Sequence, residues 1–361
     1  MTILLIISAL VQLIYWYYYF KALSDHISPT RPSDRQPSEA VSVVICAKNA
    51  GHLLQRNLPT VLDQAYPQYT VHIADDHSTD DTLEILKKID NEKGNLFVHE
   101  VKQNNRGKRQ ALWEGIVKSR HQWVILTDSD CHPQSSQWIG TMMGARTAPE
   151  HKLILGYSPY RAHNSLVSWW SHFEAWMTAL LYLSFALKGR PYMGVGRNMC
   201  YDKGLLSKAY LDRYQHLASG DDDLTVMQMA TPENTNICID PASYVYTEAE
   251  PTWWRYIQQK RRHYSTAISY KPSTILLLSG HSLSQIGFYV LFLGSLFSGL
   301  ALAGWTAYIL RMFWLAPIVN KLCRRLETQF HPLLFPIFDL ALAVYYVVFS
   351  FSVLFPKKKE W

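Results

Sequence analysis

Hydrophobic positions are spread very unevenly along this chain of 361 residues. Residues 1–20 are almost continuously apolar. Three more apolar runs, near 274–297, 299–319 and 333–355, are each long enough to cross a bilayer. The stretch between them reads as an ordinary folded domain. There, short apolar runs at Val41–Ile45, Thr70–Ala74, Asn95–Val101 and Trp123–Thr127 alternate with helically spaced segments over 51–64, 82–89 and 107–119. Such alternation predicts a mostly parallel sheet with helices on both faces. Residues 24–40 are polar and proline-rich, the composition of a linker. Residues 165–187 are aromatic and apolar but interrupted by His172 and Glu174, which predicts an amphipathic helix lying at a membrane surface. A buried core helix is the alternative. The predicted organisation is an anchor over 1–21, a linker over 22–40, an α/β domain with interfacial helices over 41–270, and a membrane domain of two to three segments over 271–361.

The net charge of +6 sharpens this picture. Much of the basic excess flanks the apolar runs: Lys21, Arg31 and Arg35, then Arg255, Lys260, Arg261 and Arg262, then Lys321, Arg324 and Arg325, then Lys357, Lys358 and Lys359. Basic residues beside membrane segments favour the cytoplasmic face, so they argue for a bilayer partner and against nucleic acid. The first run has no basic stretch before it and no small-residue cleavage site. It ends in the aromatic cluster from Tyr15 to Phe20, as a retained anchor does at an interface. Lys21 then places the following domain in the cytoplasm, at the inner membrane if the cell is bacterial. Three C-terminal crossings would put Lys357 to Lys359 outside, against this tendency, unless one run is re-entrant or interfacial. Five cysteines, odd in number and widely spaced without a Cys-x-x-Cys pair, exclude a disulfide framework and fit a reducing compartment.

Candidate chemistry collects at the ends of the predicted strands, where ligands bind in parallel sheets. One strand ends in Asp75-Asp76 and another in Asp128-Ser129-Asp130. An Asp-x-Asp pair suits a hard divalent cation shared with the phosphates of a nucleotide. Asp75 and Asp76 suit the base and ribose, although Ser78-Thr79-Asp80 also resembles a helix cap. Gly107-Lys108 opens a helix, a favourable place for an anion. Gly220-Asp221-Asp222-Asp223 crowds three carboxylates, one of which could serve as a general base. Gln259-Lys260-Arg261-Arg262-His263 follows Trp253-Trp254; arginine suits phosphate, and the same stretch suits lipid headgroups.

The order of these motifs, over roughly residues 41–265, resembles the family 2 inverting glycosyltransferases of the GT-A fold. The likeness is nearest to the membrane branch that includes ceramide glucosyltransferases and the cellulose and hyaluronan synthases. Val41 to Asn49 is similar to that family's opening strand, which usually ends Ala-Arg-Asn-Glu; here Lys48 and Ala50 depart from it. Asp75-Asp76-His77-Ser78-Thr79-Asp80 resembles its Asp-Asp-x-Ser-x-Asp, and Gly220-Asp221-Asp222 its Glu-Asp pair with Asp221 in place of Glu. Gln259-x-x-Arg262 resembles its Gln-x-x-Arg-Trp with His263 in place of Trp. Gly194-Val195-Gly196-Arg197-Asn198 falls where such enzymes place an acceptor-side loop.

The resemblance implies a donor site of Ala47, Asn49, Asp75, Asp76, Lys108, Asp128 and Asp130. It implies Mg²⁺ or Mn²⁺ on Asp128 and Asp130, and Asp222 as catalytic base. Asp221, Gln259, Arg262 and His263 would serve the acceptor or the diphosphate. The expected reaction is transfer of a sugar from a UDP-sugar to a membrane lipid acceptor, with inversion. Processive polysaccharide synthesis is the alternative, and a non-catalytic membrane subunit that binds a nucleotide or a partner is a third.

Overall fold

The computed structural model describes residues 1–27, 39–89, 94–102, 107–161, 163–207, 222–264 and 266–352. They divide into two compact units.

The α/β unit is built on one mixed sheet. Its strands are β1 (Val41–Ala47), β2 (Tyr69–Asp75), β3 (Leu96–Glu100), β4 (Trp123–Asp128), β6 (Leu153–Gly156), β7 (Met199–Asp202) and β8 (Thr235–Cys238). Their order is β3-β2-β1-β4-β7-β6-β8. The first four run parallel, as their apolar sequences and intervening helices predict, and β7 lies antiparallel between β4 and β6. A second, two-stranded ribbon pairs β5 (His132–Pro133) with β9 (Val245–Tyr246). The intervening helices are α2 (Gly51–Leu62), α3 (Thr82–Lys88), α4 (Lys108–Lys118), α5 (Trp138–Gly144) and, after β7, α7 (Asp223–Met229).

On one face of the sheet, Val41, Val43 and Ile45 pack with Leu54, Leu58 and Val61 of α2 and with Trp138, Ile139 and Met142 of α5. On the other, Cys46 and Ala74 pack with Ala111 of α4. Helix α4 sits close because Gly115 has no side chain. A Cβ there would stand 2.8 Å from Val44 Cγ1, so this glycine sets how near the start of α4 comes to the strand ends.

Parallel register does the rest. Ala47 lies opposite Asp75, and Cys46 opposite Asp128. The acidic ends of β2 and β4 therefore flank the end of β1, where the strand order turns back on itself and a crevice opens at the carboxyl edge.

The second unit is helical. It comprises α1 (Thr2–Asp25, with a π-helical stretch over Tyr15–Phe20), α6 (Leu166–Leu187), α8 (Trp253–Tyr264), α9 (Pro272–Leu296), α10 (Ala301–Arg325) and α11 (Phe335–Ser352). Four of these helices, α1, α9, α10 and α11, are long and apolar enough to cross a membrane. The expected boundary at residue 270 is thus replaced: α6 and α8 group with the membrane helices, not with the sheet. Helix α6 is buried over most of its surface instead of lying on a membrane face. Phe173 and Trp176 pack on Phe330 and Phe335, and the buried Glu174 is neutralised by Lys260 of α8. The charge that suggested a solvated face is an internal ion-pair partner. One turn earlier on both helices, Trp170 Nε1 donates to Tyr256 Oη at 2.8 Å.

One buried network ties the four long helices together. Arg311 of α10 bonds both carboxylate oxygens of Asp339 on α11 and the amide oxygen of Gln285 on α9. Gln285 and Tyr289 of α9 also donate to Asp339. Gln12 of α1 accepts from Arg311 at 3.5 Å and donates to Ser284. Ionisable groups inside an apolar bundle persist only when paired in this way. Arg311→Leu should therefore destabilise the helical unit by about 3 kcal/mol or more by stranding Asp339. The double variant Arg311→Leu with Asp339→Leu should be distinctly less damaging. Thermal unfolding of the purified chain in detergent measures both.

Candidate active site

The site in the α/β unit is assembled from four loop ends at the carboxyl edge of the sheet. After β1, Asn49 takes a left-handed conformation with φ of 50°, tolerable for asparagine. Its side chain accepts from Thr79 N at 2.8 Å, while its N–H donates to Ser78 Oγ at 2.9 Å. This clamps the β1 and β2 loops to one another. Asp75 and Asp76 are both buried. The Asp75 carboxylate accepts from the N–H and hydroxyl of Ser78, so it closes the turn after β2. Asp76 pairs with Lys48 at 3.5 Å and accepts from His77 Nδ1 and, on both oxygens, from Gly107 N. Gly107 has φ of 105°, a conformation that favours glycine, and it opens α4.

Fixed in this way, the first residue of α4 reaches the next strand end. Lys108 Nζ donates to Asp128 Oδ1 at 2.7 Å. Asp130 accepts from Thr247 Oγ1 at 3.1 Å and from the Cys131 thiol. Asp128, Asp130 and Cys131 present ligand atoms that lie within 4.8 Å of one another. Burial pushes the Cys131 thiol well above its usual range, and the two neighbouring carboxylates push it further, so it is a neutral thiol here. The donor set fits a hard divalent cation held by two carboxylates and completed by ligand oxygens. Burial raises Asp128, but Lys108 and then Arg197 outweigh it and hold its carboxyl below the ordinary carboxylate value.

Arg197 was legible only as part of a loop. It is anchored by Nε to Ser158 Oγ at 2.7 Å, and its guanidinium lies over the Tyr160 ring. Tyr160 bridges to Thr247, the residue that holds Asp130. Burial works against its charge, but Tyr160, Cys131, Asp130 and Asp128 overcome this and raise its pKa. Its neighbour Gly196 donates its N–H to Asp222 Oδ2 at 2.9 Å, and Asp223 N donates to Oδ1 at 3.2 Å. The loop 196–197 therefore touches Asp222 by its backbone and faces the acidic pair by its side chain. Asp76, Lys108, Asp128, Asp130, Arg197 and Asp222 form one continuous succession of neighbours. Ala47 joins it as the carbonyl that accepts from Asp76 N at 2.8 Å.

The remaining expected residues lie outside the described residues or in the other unit. Asp221 lies outside the described residues. Gln259, Arg262 and His263 are on α8 of the helical unit. Gln259 donates to Glu250 at 3.4 Å, and Arg262 and His263 are exposed. Thr247 and Cys131 carried no sequence signal, because a lone threonine or cysteine is informative only once its neighbour is known.

Residues 42–210 match the model of Glycosyl transferase family 2. The match takes in just under half of the chain. Among similar proteins, the poly-beta-1,6-N-acetyl-D-glucosamine synthase of Staphylococcus epidermidis is 32% identical over 123 residues. That of Staphylococcus aureus is 28% identical over 123 residues. Each match takes in 32% of this chain and 29% of the relative, well under half of either. The fold matches a mannosyltransferase from Pyrobaculum calidifontis, solved with GDP-Man and Mn²⁺, with a TM-score of 0.60 at 16% identity over 99% of both chains. The architecture, with its mostly parallel sheet and flanking helices, is the GT-A fold.

Asn198 locks the loop that carries Gly196 and Arg197. It donates to the carbonyls of Tyr157 and Ser243 at 2.7 and 2.9 Å and accepts from Trp138 Nε1 at 3.0 Å, fully buried. Asn198→Ala should cost about 2–3 kcal/mol by leaving buried polar groups unpaired. It should also loosen Gly196 and Arg197. Thermal unfolding reads the first effect, and hydrogen exchange at residues 194–198 the second.

Proposed function

We propose that this chain is an inverting glycosyltransferase that moves a sugar from a UDP-sugar to a lipid acceptor, with its α/β unit in the cytoplasm. The observation that carries the reading is the succession from Asp76 through Lys108, Asp128, Asp130 and Arg197 to Asp222, with four membrane-length helices among the described residues. A divalent cation on Asp128 and Asp130, Mg²⁺ or Mn²⁺, would supply charge neutralisation for the departing diphosphate. Lys108 and Arg197 add positive charge where negative charge develops, in a partly dehydrated site where it counts for more than in water. Ala47, Asn49, Asp75 and Asp76 shape the nucleotide end.

Asp222 takes the proton of the acceptor hydroxyl. Each of its oxygens accepts one backbone N–H. These bonds aim the carboxylate while leaving lone pairs for the acceptor. Inversion follows from a single displacement, with the hydroxyl entering opposite the departing diphosphate.

A cytoplasmic catalytic unit is supported by charge placement within the helical unit. Lys321, near the end of α10, pairs with Asp25 at the end of α1, and Lys21, Arg324 and Arg325 lie in the same terminal turns. That end of the bundle is basic, the cytoplasmic signature. The limited identity with poly-beta-1,6-N-acetyl-D-glucosamine synthases supports a second reading, processive polymer synthesis.

Purified chain should be incubated with a panel of sugar nucleotides, a divalent cation and membrane lipid extract, and the products weighed by mass spectrometry. A single sugar on a lipid is the expected product. A sugar polymer would replace the lipid reading with the processive one, and no transfer would remove both. Asp222→Asn should lower turnover by roughly 10²–10⁴-fold while leaving UDP affinity nearly unchanged. Retained turnover would remove Asp222 as the base.

A further inference from the structure

One of the two carboxylates assigned to the divalent cation already holds a cation of the protein's own. The Lys108 ammonium bonds Asp128 Oδ1 at 2.7 Å, and the two side chains are 32% and 29% exposed. Asp130 is met differently: its oxygens accept from a hydroxyl and a thiol, and the Arg197 charge acts on it as it does on Asp128. The backbone at Lys108 is fixed, because Gly107 N is held by both oxygens of Asp76. The contact to Asp128 is made by the end of a lysine side chain. Its four carbons can swing the ammonium within a partly open site.

We propose that Lys108 competes with the divalent cation for Asp128, and that the donor's diphosphate relieves the competition by drawing the ammonium onto its own oxygens. The inference rests on the donor and metal assignment made above. A cation arriving alone must displace the ammonium from Asp128 and leave two positive charges side by side. A nucleoside diphosphate gives Lys108 another anionic partner and returns Asp128 to the metal. No covalent bond changes; one ion pair is exchanged for another. Coupling of this kind is reciprocal, so the factor by which the diphosphate tightens the metal is the factor by which the metal tightens the diphosphate. The site would therefore fill cooperatively, with little metal bound while no donor is present.

The test is Mn²⁺ binding followed by electron paramagnetic resonance on the full chain in detergent, with and without UDP. The Mn²⁺ that UDP holds in protein-free buffer is subtracted. Wild type should bind Mn²⁺ weakly alone and about tenfold or more tightly with UDP. Lys108→Met and Lys108→Gln should each bind Mn²⁺ alone several-fold more tightly than wild type, and UDP should add less. Lys108→Arg, which keeps the competing charge, should stay near wild type. Unchanged or weaker Mn²⁺ binding in both neutral variants overturns the competition. Asp128→Asn separates the two layers of the argument. If it leaves Mn²⁺ binding intact, the metal assignment behind the proposed function falls. If it abolishes binding while the neutral Lys108 variants gain nothing, only the competition falls.

Discussion

Mutual repulsion of carboxylates at the edge of one parallel sheet is the constraint around which the α/β unit is organised. Register alone brings Asp75, Asp76 and Asp128 to the two strand ends that flank β1, and the turn after β4 adds Asp130. Such a concentration of negative charge is unfavourable unless each group is paired or hydrogen-bonded. Each is answered differently. Asp75 is used by Ser78, Asp76 by the start of α4, Asp128 by Lys108, and Asp130 by Thr247 and Cys131. The backbone devices of the region, Gly107 at positive φ and Gly115 against Val44, exist to deliver those partners.

These answers differ in how exchangeable they are, and that separates scaffold from site. Asp75 and Asp76 are buried and bound to backbone N–H groups, which cannot leave. Asp128 and Asp130 lie nearer solvent and are met by side chains, which can. Asp222 is intermediate: one backbone N–H meets each of its oxygens, and lone pairs remain on both. The helical unit repeats the same logic in an apolar setting. Arg311 and Asp339 are buried against several polar partners, so their pairing is structural, as is that of Glu174 with Lys260.

Much of this was legible in the chain. The four parallel strands, their intervening helices and the membrane-length segments follow from hydrophobic period and run length, because those patterns reflect what each element must bury. Asp76, Lys108, Asp128, Asp130 and Asp222 were identifiable because each sits in a short motif beside a predicted element end. Arg197, Thr247 and Cys131 were not singled out, since their chemistry arises from residues distant in the chain. Glu174 was misread for a related reason: a carboxylate inside an apolar helix signals a wet face only when no cation waits opposite it.

The sequence by itself determined which elements form, which segments are long enough for a bilayer, and which side chains are candidates for acid, base and phosphate chemistry. Those properties depend on local composition and spacing, which the chain states directly. The tertiary structure decided which carboxylates are committed to backbone and which remain exchangeable. It also decided that α6 and α8 belong with the membrane helices, and that Lys108 rests on Asp128. Partnership between groups separated by tens of residues depends on strand register and on how closely helices approach. No local pattern encodes either.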